Sequence, residues 1–468
     1  MKATSPTVVL DTTLHDLYRV DNESGHQPTL VCVPSHVYQR GPLTKFIYHA
    51  ELKPSQPAAT ATYEAAVMLR LRATPQRRLF AAGRMPVVIL TSSERESGTA
   101  HDVASKDAAS IQRSTSLLPR DQRPDVTFWP GPEDVPLKPG SEIAVSRPTD
   151  CLSHLPHLID PEVHYEILSK RGLARSGLPT PPSTVVDTLL RPGGDDGEMR
   201  DPAKTSAEAA RMLRAVDTYK LPFVVKLPQS AGKGTFVVTS DTERARLTEM
   251  LRPQLQQMLE QVTEANHRLH PCSLVLQDYI AGKVVALSLF VTRKGRPIFV
   301  GCCKQKFNGD GRWAGGSISY PEQAELRQLY AGSMEKAALF LHQKEYYGPA
   351  GIDVITNAAG EQYIIDLNVR ITGTFILGLV AGHFTKRGLD RAMVEVAYFS
   401  CSRTAFEEAF AHGIQDGRII ITAWAYDESV SLSFGAFIIG GSTAGEIKWQ
   451  LMQVQNHAVL RLDTFVKC

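Results

Sequence analysis

The segment Gly351–Arg370, GIDVITNAAGEQYIIDLNVR, constrains this chain more than any other. Two β-rich runs flank an Asn/Ala/Ala/Gly/Glu turn, which is the pattern of a hairpin. With the turn centred near Ala359 and Gly360, Asp353 falls opposite Asp366, and alternation puts Asn368 on the face of Asp366. Two carboxylates and an amide oxygen then meet on one patch of an otherwise apolar ribbon. Directly opposed like charges destabilise a sheet unless something neutralises them. A hard divalent cation with oxygen ligands does so, and magnesium is usually held by one or two carboxylates plus substrate phosphates. Arg370 continues the same face, where a transferring phosphoryl group needs fixed positive charge. Taken alone, the segment can equally be read as a solvated hairpin face with incidental acids.

A second hairpin is predicted around Phe223-Val-Val-Lys226 and Thr235-Phe-Val-Val238. An unpaired ammonium on an apolar strand is costly, so Lys226 calls for an anion. The turn between the strands holds Ser230, Gly232, Lys233, Gly234 and Thr235, and glycine turns let backbone N–H groups approach phosphate oxygens. A Walker A loop is excluded, because the first glycine is missing and the Lys-Ser/Thr pair is interrupted. Further on, Gln277-Asp278-Tyr279-Ile280 ends an apolar strand and precedes Gly282. Such a segment can offer backbone groups to an adenine edge, but in isolation it is an ordinary strand end.

In this order, together with Lys170 and the Gly177-Leu178-Pro179 turn, these segments resemble the ATP-grasp superfamily, which includes D-alanine–D-alanine ligase, biotin carboxylase and carbamoyl-phosphate synthase. L-Amino acid ligases are similar in type. The resemblance covers roughly residues 155–400. It implies an α/β chain with an ATP-grasp fold, two α+β lobes clasping ATP, behind an N-terminal α/β domain. It further implies that Lys226, and more loosely Lys170, contact the nucleotide phosphates. The loop from Ser230 to Thr235 would close over the triphosphate, and Gln277, Asp278, Tyr279 and Ile280 would hold adenine. Asp353, Asp366 and Asn368 would bind Mg2+, with Mn2+ as an alternative ion. Arg370 would stabilise the transferred phosphoryl group, and Lys306 resembles a lysine that some members direct at the γ-phosphate.

The chain departs from the pattern in three places. Asp366 stands where glutamate is usual, Gln277 likewise, and the acid expected after the hinge for the ribose hydroxyls has no clear equivalent in Gly282-Lys-Val-Val-Ala. The implied activity is that of an ADP-forming carboxylate–amine ligase, which activates a small-molecule carboxylate as an acyl phosphate and joins it to an amine. A natural-product pathway is the expected setting. A kinase-type enzyme and a nucleotide-binding protein without turnover are the alternatives.

The expected organisation is an N-terminal α/β domain over 1–155, a small lobe over 156–290, a large lobe with the metal site over 291–415, and C-terminal strands over 416–468. Those last strands either complete the large lobe or form a lid. Within the first domain, strands are expected at Thr7–Leu10, near Thr29–Val33 and at Met85–Leu90, and the polar stretch 93–125 reads as a solvated helix with loops or an insertion. Asp160-Pro161 predicts a helix start, running through HYEILSKRGLARSG to Gly177. Residues 306–321 look too glycine-rich for a strand and suit a substrate loop built around Arg312 and Trp313.

With 51 basic and 49 acidic side chains the formal charge is +2, which lacks the basic excess of a nucleic-acid partner. No run of about 20 apolar residues suggests a membrane span. Seven cysteines without a CxxC pair fit reduced thiols and a cytoplasmic protein. Cys302 and Cys303, adjacent on a strand, are expected to face opposite sides. A homodimer is an assembly that the resemblance allows.

Overall fold

The computed structural model describes residues 6–23, 25–33, 44–49, 61–91, 99–133, 135–191, 201–229, 234–307 and 313–460. They build three sheets. The first is parallel, with strands β1 (Thr29–Cys32), β2 (Pro86–Leu90), β3 (Asp125–Trp129) and β4 (Ile143–Val145) in the order β3-β2-β1-β4. The second joins β5 (Ser183–Asp187), β6 (Phe223–Lys226), β7 (Thr235–Val238) and β8 (Ser273–Asp278) in the antiparallel order β5-β8-β6-β7.

The third sheet has nine strands: β9 (Lys283–Val291), β10 (Pro297–Phe307), β11 (Trp313–Ser319), β12 (Gly348–Thr356), β13 (Gln362–Asn368), β14 (Arg391–Phe399), β15 (Ile419–Asp427), β16 (Leu432–Gly441) and β17 (Ala458–Leu460). Its order is β13-β12-β9-β10-β11-β14-β16-β15, with β17 also on β14. The late strands β15 and β16 therefore extend this sheet.

Periodicity explains the packing. In the helix Pro202–Thr218, Ala209, Met212, Leu213 and Val216 recur at three- and four-residue spacing and are buried, the stripe expected of a helix laid on a core. It packs with the helix Asp241–Glu260 over β6 and β8, around Phe223, Leu251 and Leu274. Each such large apolar side chain contributes roughly 1.5–3 kcal/mol by leaving water. On the large sheet, Leu289, Ile352 and Leu367 face the helix Ala331–Gln343. The opposite face packs Phe290 and Val394 against Phe375 and Phe384. Cys302 lies in the first of these cores and Cys303 in the second, as strand alternation requires.

Several sequence expectations are corrected. Thr7–Leu10 is not a strand; its backbone bonds instead to Leu117 and to the Gln122 side chain. The helix begun by Asp160 and Pro161 does form, with the Asp160 carboxylate accepting from Glu162 and Val163, but it stops at Leu168 and a second helix, Lys170–Ala174, follows. Glycines do not prevent a strand at 313–319: β11 pairs with β10 and β14 on its two sides, and a Cβ at Gly315 or Gly316 would meet the Val394 carbonyl oxygen or the Thr374 side chain. Residues 308–312, including Arg312, lie outside the described residues. In sheet membership the small lobe ends at 279–282 rather than 290, since β9 pairs with β10 and β12 of the large sheet. The stretch 99–115 is a helix, in line with the solvated-helix reading of that part. No helix among the described residues is long and apolar enough to cross a membrane.

Candidate active site

β12 and β13 pair with Asp353 opposite Asp366 and Gly351 opposite Asn368, the pairing expected. The register shifts by one residue between Asp353 and Val354, so a bulge that skips Ile365, and not alternation from the turn alone, brings the two carboxylates opposite each other. Asn368 Nδ2 donates to Asp366 Oδ2 at 3.3 Å, and Arg370 donates to Asn368 Oδ1 at 2.9 Å. Asp366, Asn368 and Arg370 are thus linked in one row. Burial, reinforced by the neighbouring Asp366, pushes the Asp353 carboxyl up to about 7. For Asp366 burial acts in the same direction, but Lys170 and Lys226 outweigh it and hold the group below the usual carboxylate range.

Lys170 arrives from the other side of the cleft. Ser169 caps its short helix by accepting from Gly172 N at 2.7 Å, and Arg171 pins the helix to β5 through Asp187 at 2.8 Å. Lys170 N donates to Pro228 O at 2.9 Å, at the mouth of the glycine turn. Its ammonium, 9% exposed, forms an ion pair with Asp366. The helix break that aims Lys170 depends on Gly172, where a Cβ would lie 2.1 Å from the Glu166 carbonyl oxygen. Gly172→Ala is therefore expected to cost about 1–3 kcal/mol of stability through backbone displacement. A urea midpoint equal to that of the wild type would refute this role.

Lys226, 6% exposed, donates to Gln277 Oε1 and to the Ile365 carbonyl, each at 2.7 Å. Burial, with repulsion from Lys170, pushes its ammonium down to about 8. β6 of the small sheet and β13 of the large sheet are thereby tied through one cation. Gln277 Oε1 thus accepts from Lys226, and its Nε2 donates to Ser183 Oγ at 2.9 Å, which fixes the side chain beside the lysine at the end of β8. Asp278 accepts from Tyr219 Oη at 3.0 Å, while Tyr279 is 43% exposed. Ile280 follows in the same link between β8 and β9. Gly234 and Thr235 open β7, with Leu227 N donating to Gly234 O. Ser230, Gly232 and Lys233 lie outside the described residues.

Lys306 is placed elsewhere. Its Nζ lies 3.0 Å from Glu395 Oε2. Gln305, one residue earlier on β10, hydrogen-bonds to the Asp353 carboxyl. Adjacent strand residues face opposite sides, so Lys306 projects away from the carboxylate pair, and a role at the γ-phosphate is not supported. Sequence reading missed Gln305, although its two-residue step from Cys303 puts it on the same face; Ser183 and the Ile365 carbonyl carry no signal that a sequence reveals.

Among the described residues, no group of three or more His, Cys, Asp or Glu side chains is arranged to hold a metal. The donors here are two carboxylates and an amide, which fit a hard cation that takes its remaining ligands from substrate phosphates and water.

Residues 215–374 match the sequence profile of the family described as ATP-grasp domain, so the segment holding Lys226, the β8–β9 link and the Asp353–Asp366 hairpin is an ATP-grasp domain. No curated protein matches the chain. Among solved structures, L-amino acid ligase from Bacillus licheniformis is similar at 12% identity and a TM-score of 0.46, covering 92% of this chain and 98% of that one. Phosphoribosylamine–glycine ligase from Thermotoga maritima is similar at 12% identity and a TM-score of 0.46, covering 80% and 91%. For N5-carboxyaminoimidazole ribonucleotide synthetase from Thermus thermophilus the values are 13%, 0.43, 84% and 96%. At these TM-scores the likenesses carry no part of the functional assignment.

Proposed function

We propose that this chain, with its ATP-grasp domain, is an ATP- and magnesium-dependent ligase that activates a carboxylate and joins it to an amine. The observation carrying this reading is the convergence of Lys170 from a short helix, Lys226 from the small sheet, and Asp353, Asp366, Asn368 and Arg370 from the large-sheet hairpin. Phosphoryl transfer asks a protein for positioning and electrostatics more than for covalent chemistry, and this set supplies both signs of charge in fixed places.

Lys170 and Lys226 would meet the negative phosphate oxygens, with phosphate taking the place of Asp366 as the partner of Lys170. Asp353, Asp366 and Asn368 would hold magnesium, which when bound neutralises charge on the phosphates. Arg370, fixed by Asn368, would stabilise charge on the group in flight. The substrate carboxylate oxygen attacks the γ-phosphorus and ADP departs, leaving an acyl phosphate. An amine then attacks the acyl carbon, phosphate leaves, and the amine's proton passes to solvent or phosphate. Water has to be kept from the site, because it otherwise hydrolyses the acyl phosphate.

The Lys170–Asp366 ion pair supports a second reading, in which these charges form a structural network and nucleotide is held without turnover. Measuring ADP release with magnesium and ATP separates the two, using a panel of carboxylates with and without amines beside Asp366→Ala. The ligase reading expects release that needs both an acid and an amine and vanishes in the variant. Release with an acid or alcohol alone would indicate a kinase-type enzyme, and ATP binding without any release favours the second reading.

A further inference from the structure

Next to the carboxylate pair lies a group of charges that the chemistry above leaves unused. Arg77 and Arg78 occupy the last turn of the helix Ala61–Leu79, far from the ATP-grasp domain in sequence. The Arg77 guanidinium sits 5.4 Å over the Trp313 ring at the start of β11. Gly373, three residues after Arg370, closes onto this stack. A Cβ there would lie 2.5 Å from Trp313 Cη2 and 3.2 Å from an Arg77 guanidinium nitrogen, so only glycine lets the backbone approach so closely. The segment from Asn368 through Arg370 to Gly373 thus leads straight from the Asp353–Asp366 pair to the Arg77–Trp313 stack. Arg78 is the charge that most strongly opposes the Arg370 cation, and it also bonds to the Cys32 sulfur.

A helix C-terminus favours cations, and an arginine over tryptophan gains by cation–π attraction. Either effect accounts for one arginine. Neither accounts for two half-buried guanidiniums, Arg77 and Arg78, in one helix turn when, among the described residues, neither forms an ion pair with a carboxylate, whereas the Arg370 charge is favoured by Asp366 and Asp353. Half-buried charge with no carboxylate partner among the described residues calls for an anion, and guanidinium groups suit oxyanions that can be gripped by two parallel hydrogen bonds.

We propose that Arg77 and Arg78 form an oxyanion subsite beside Arg370, so that the substrate carries a second anionic group, a carboxylate or a phosphate, in addition to the carboxylate that is activated. This rests on the ligase reading of the Asp353–Asp366 site. Trp313 walls the subsite, and Arg370 marks its border with the phosphoryl-transfer centre. The second anion would hold the substrate by its far end and set the distance of its reacting carboxylate from the γ-phosphate.

The test is calorimetric titration of the full chain, saturated with ADP and magnesium, with glutarate, with butyrate and with inorganic phosphate. The expectation is that glutarate or phosphate binds more tightly than butyrate, and that Arg78→Gln and Arg77→Gln each weaken that binding about tenfold or more. A preference for phosphate identifies a phosphorylated substrate, and a preference for glutarate identifies a dicarboxylate. Arg78→Lys, which keeps the charge, should recover part of the affinity, and ADP affinity should stay unchanged in all three variants, which a misfolded variant could not achieve. Equal anion binding by wild type and both glutamine variants overturns the subsite, as does failure of glutarate and phosphate to bind the wild type at millimolar concentration. Failure of the wild type to bind ADP would instead bring down the ligase reading, while anion titrations without nucleotide still decide the subsite.

Discussion

Arg370→Ala is expected to lower kcat about a thousandfold while changing ADP affinity by less than about tenfold, because a fixed arginine acts on charge that develops only as the phosphoryl group moves. The geometry behind this is specific. Arg370 follows β13 directly, and its guanidinium is held by Asn368 Oδ1 at 2.9 Å, so it is aimed before substrate arrives. Burial and the nearby Arg78 push it down only to about 10, which leaves it charged at any working pH. Arg370→Lys should recover a fraction of the rate, since a point charge replaces only part of a planar fork. Single-turnover rates beside ADP titrations check the claim. Should ADP affinity fall as far as kcat, Arg370 binds the ground state, and the transition-state role assigned to it is wrong.

Asp353→Asn is expected to make the protein more stable at pH 8 while reducing turnover strongly. The Asp353 pKa rises from 3.8 to about 7 on folding, so the folded chain holds a proton that the unfolded chain has released. Stability from this group is complete below the unfolded value and is lost as pH rises through about 7. Asparagine carries no charge at any pH and escapes that loss. With Asp366 sharing the effect, the gain at pH 8 should be about 1–3 kcal/mol, shrinking toward zero near pH 4. Urea unfolding of both proteins at the two pH values measures it. An equal stability difference at both pH values would show that Asp353 does not titrate in this range. The expected combination of greater stability and lost turnover marks a residue kept for chemistry rather than for the fold.

Much of the hairpin at the site was legible because its determinants are local. A turn position and a two-residue period decide which side chains share a face, and both are written within twenty contiguous residues. Asp353 stands opposite Asp366 as expected, with Asn368 and Arg370 following on the same row, although the bulge that skips Ile365 also sets this register and alternation does not record it. The same logic placed Cys302 and Cys303 in different cores, and applied to Gln305 it would have turned Lys306 away from the site. The strand at 313–319 was misread because glycine content measures what a strand brings to a sheet, not what its neighbours on both sides provide.

What the sequence by itself determined is the set of charged groups and which of them share a strand face. Only the tertiary structure decided their partners. Lys170 meets Asp366 across 196 residues, and Lys226 meets Gln277 across 51. Arg77 reaches Trp313 and Arg78 lies near Arg370, both from a helix of another part of the chain. The physical reason is that alternation is a property of a single strand, whereas the meeting of two charges depends on how separate sheets and helices bury their apolar faces against one another. That packing is set by the summed burial of many residues, and no spacing of the charges themselves records it.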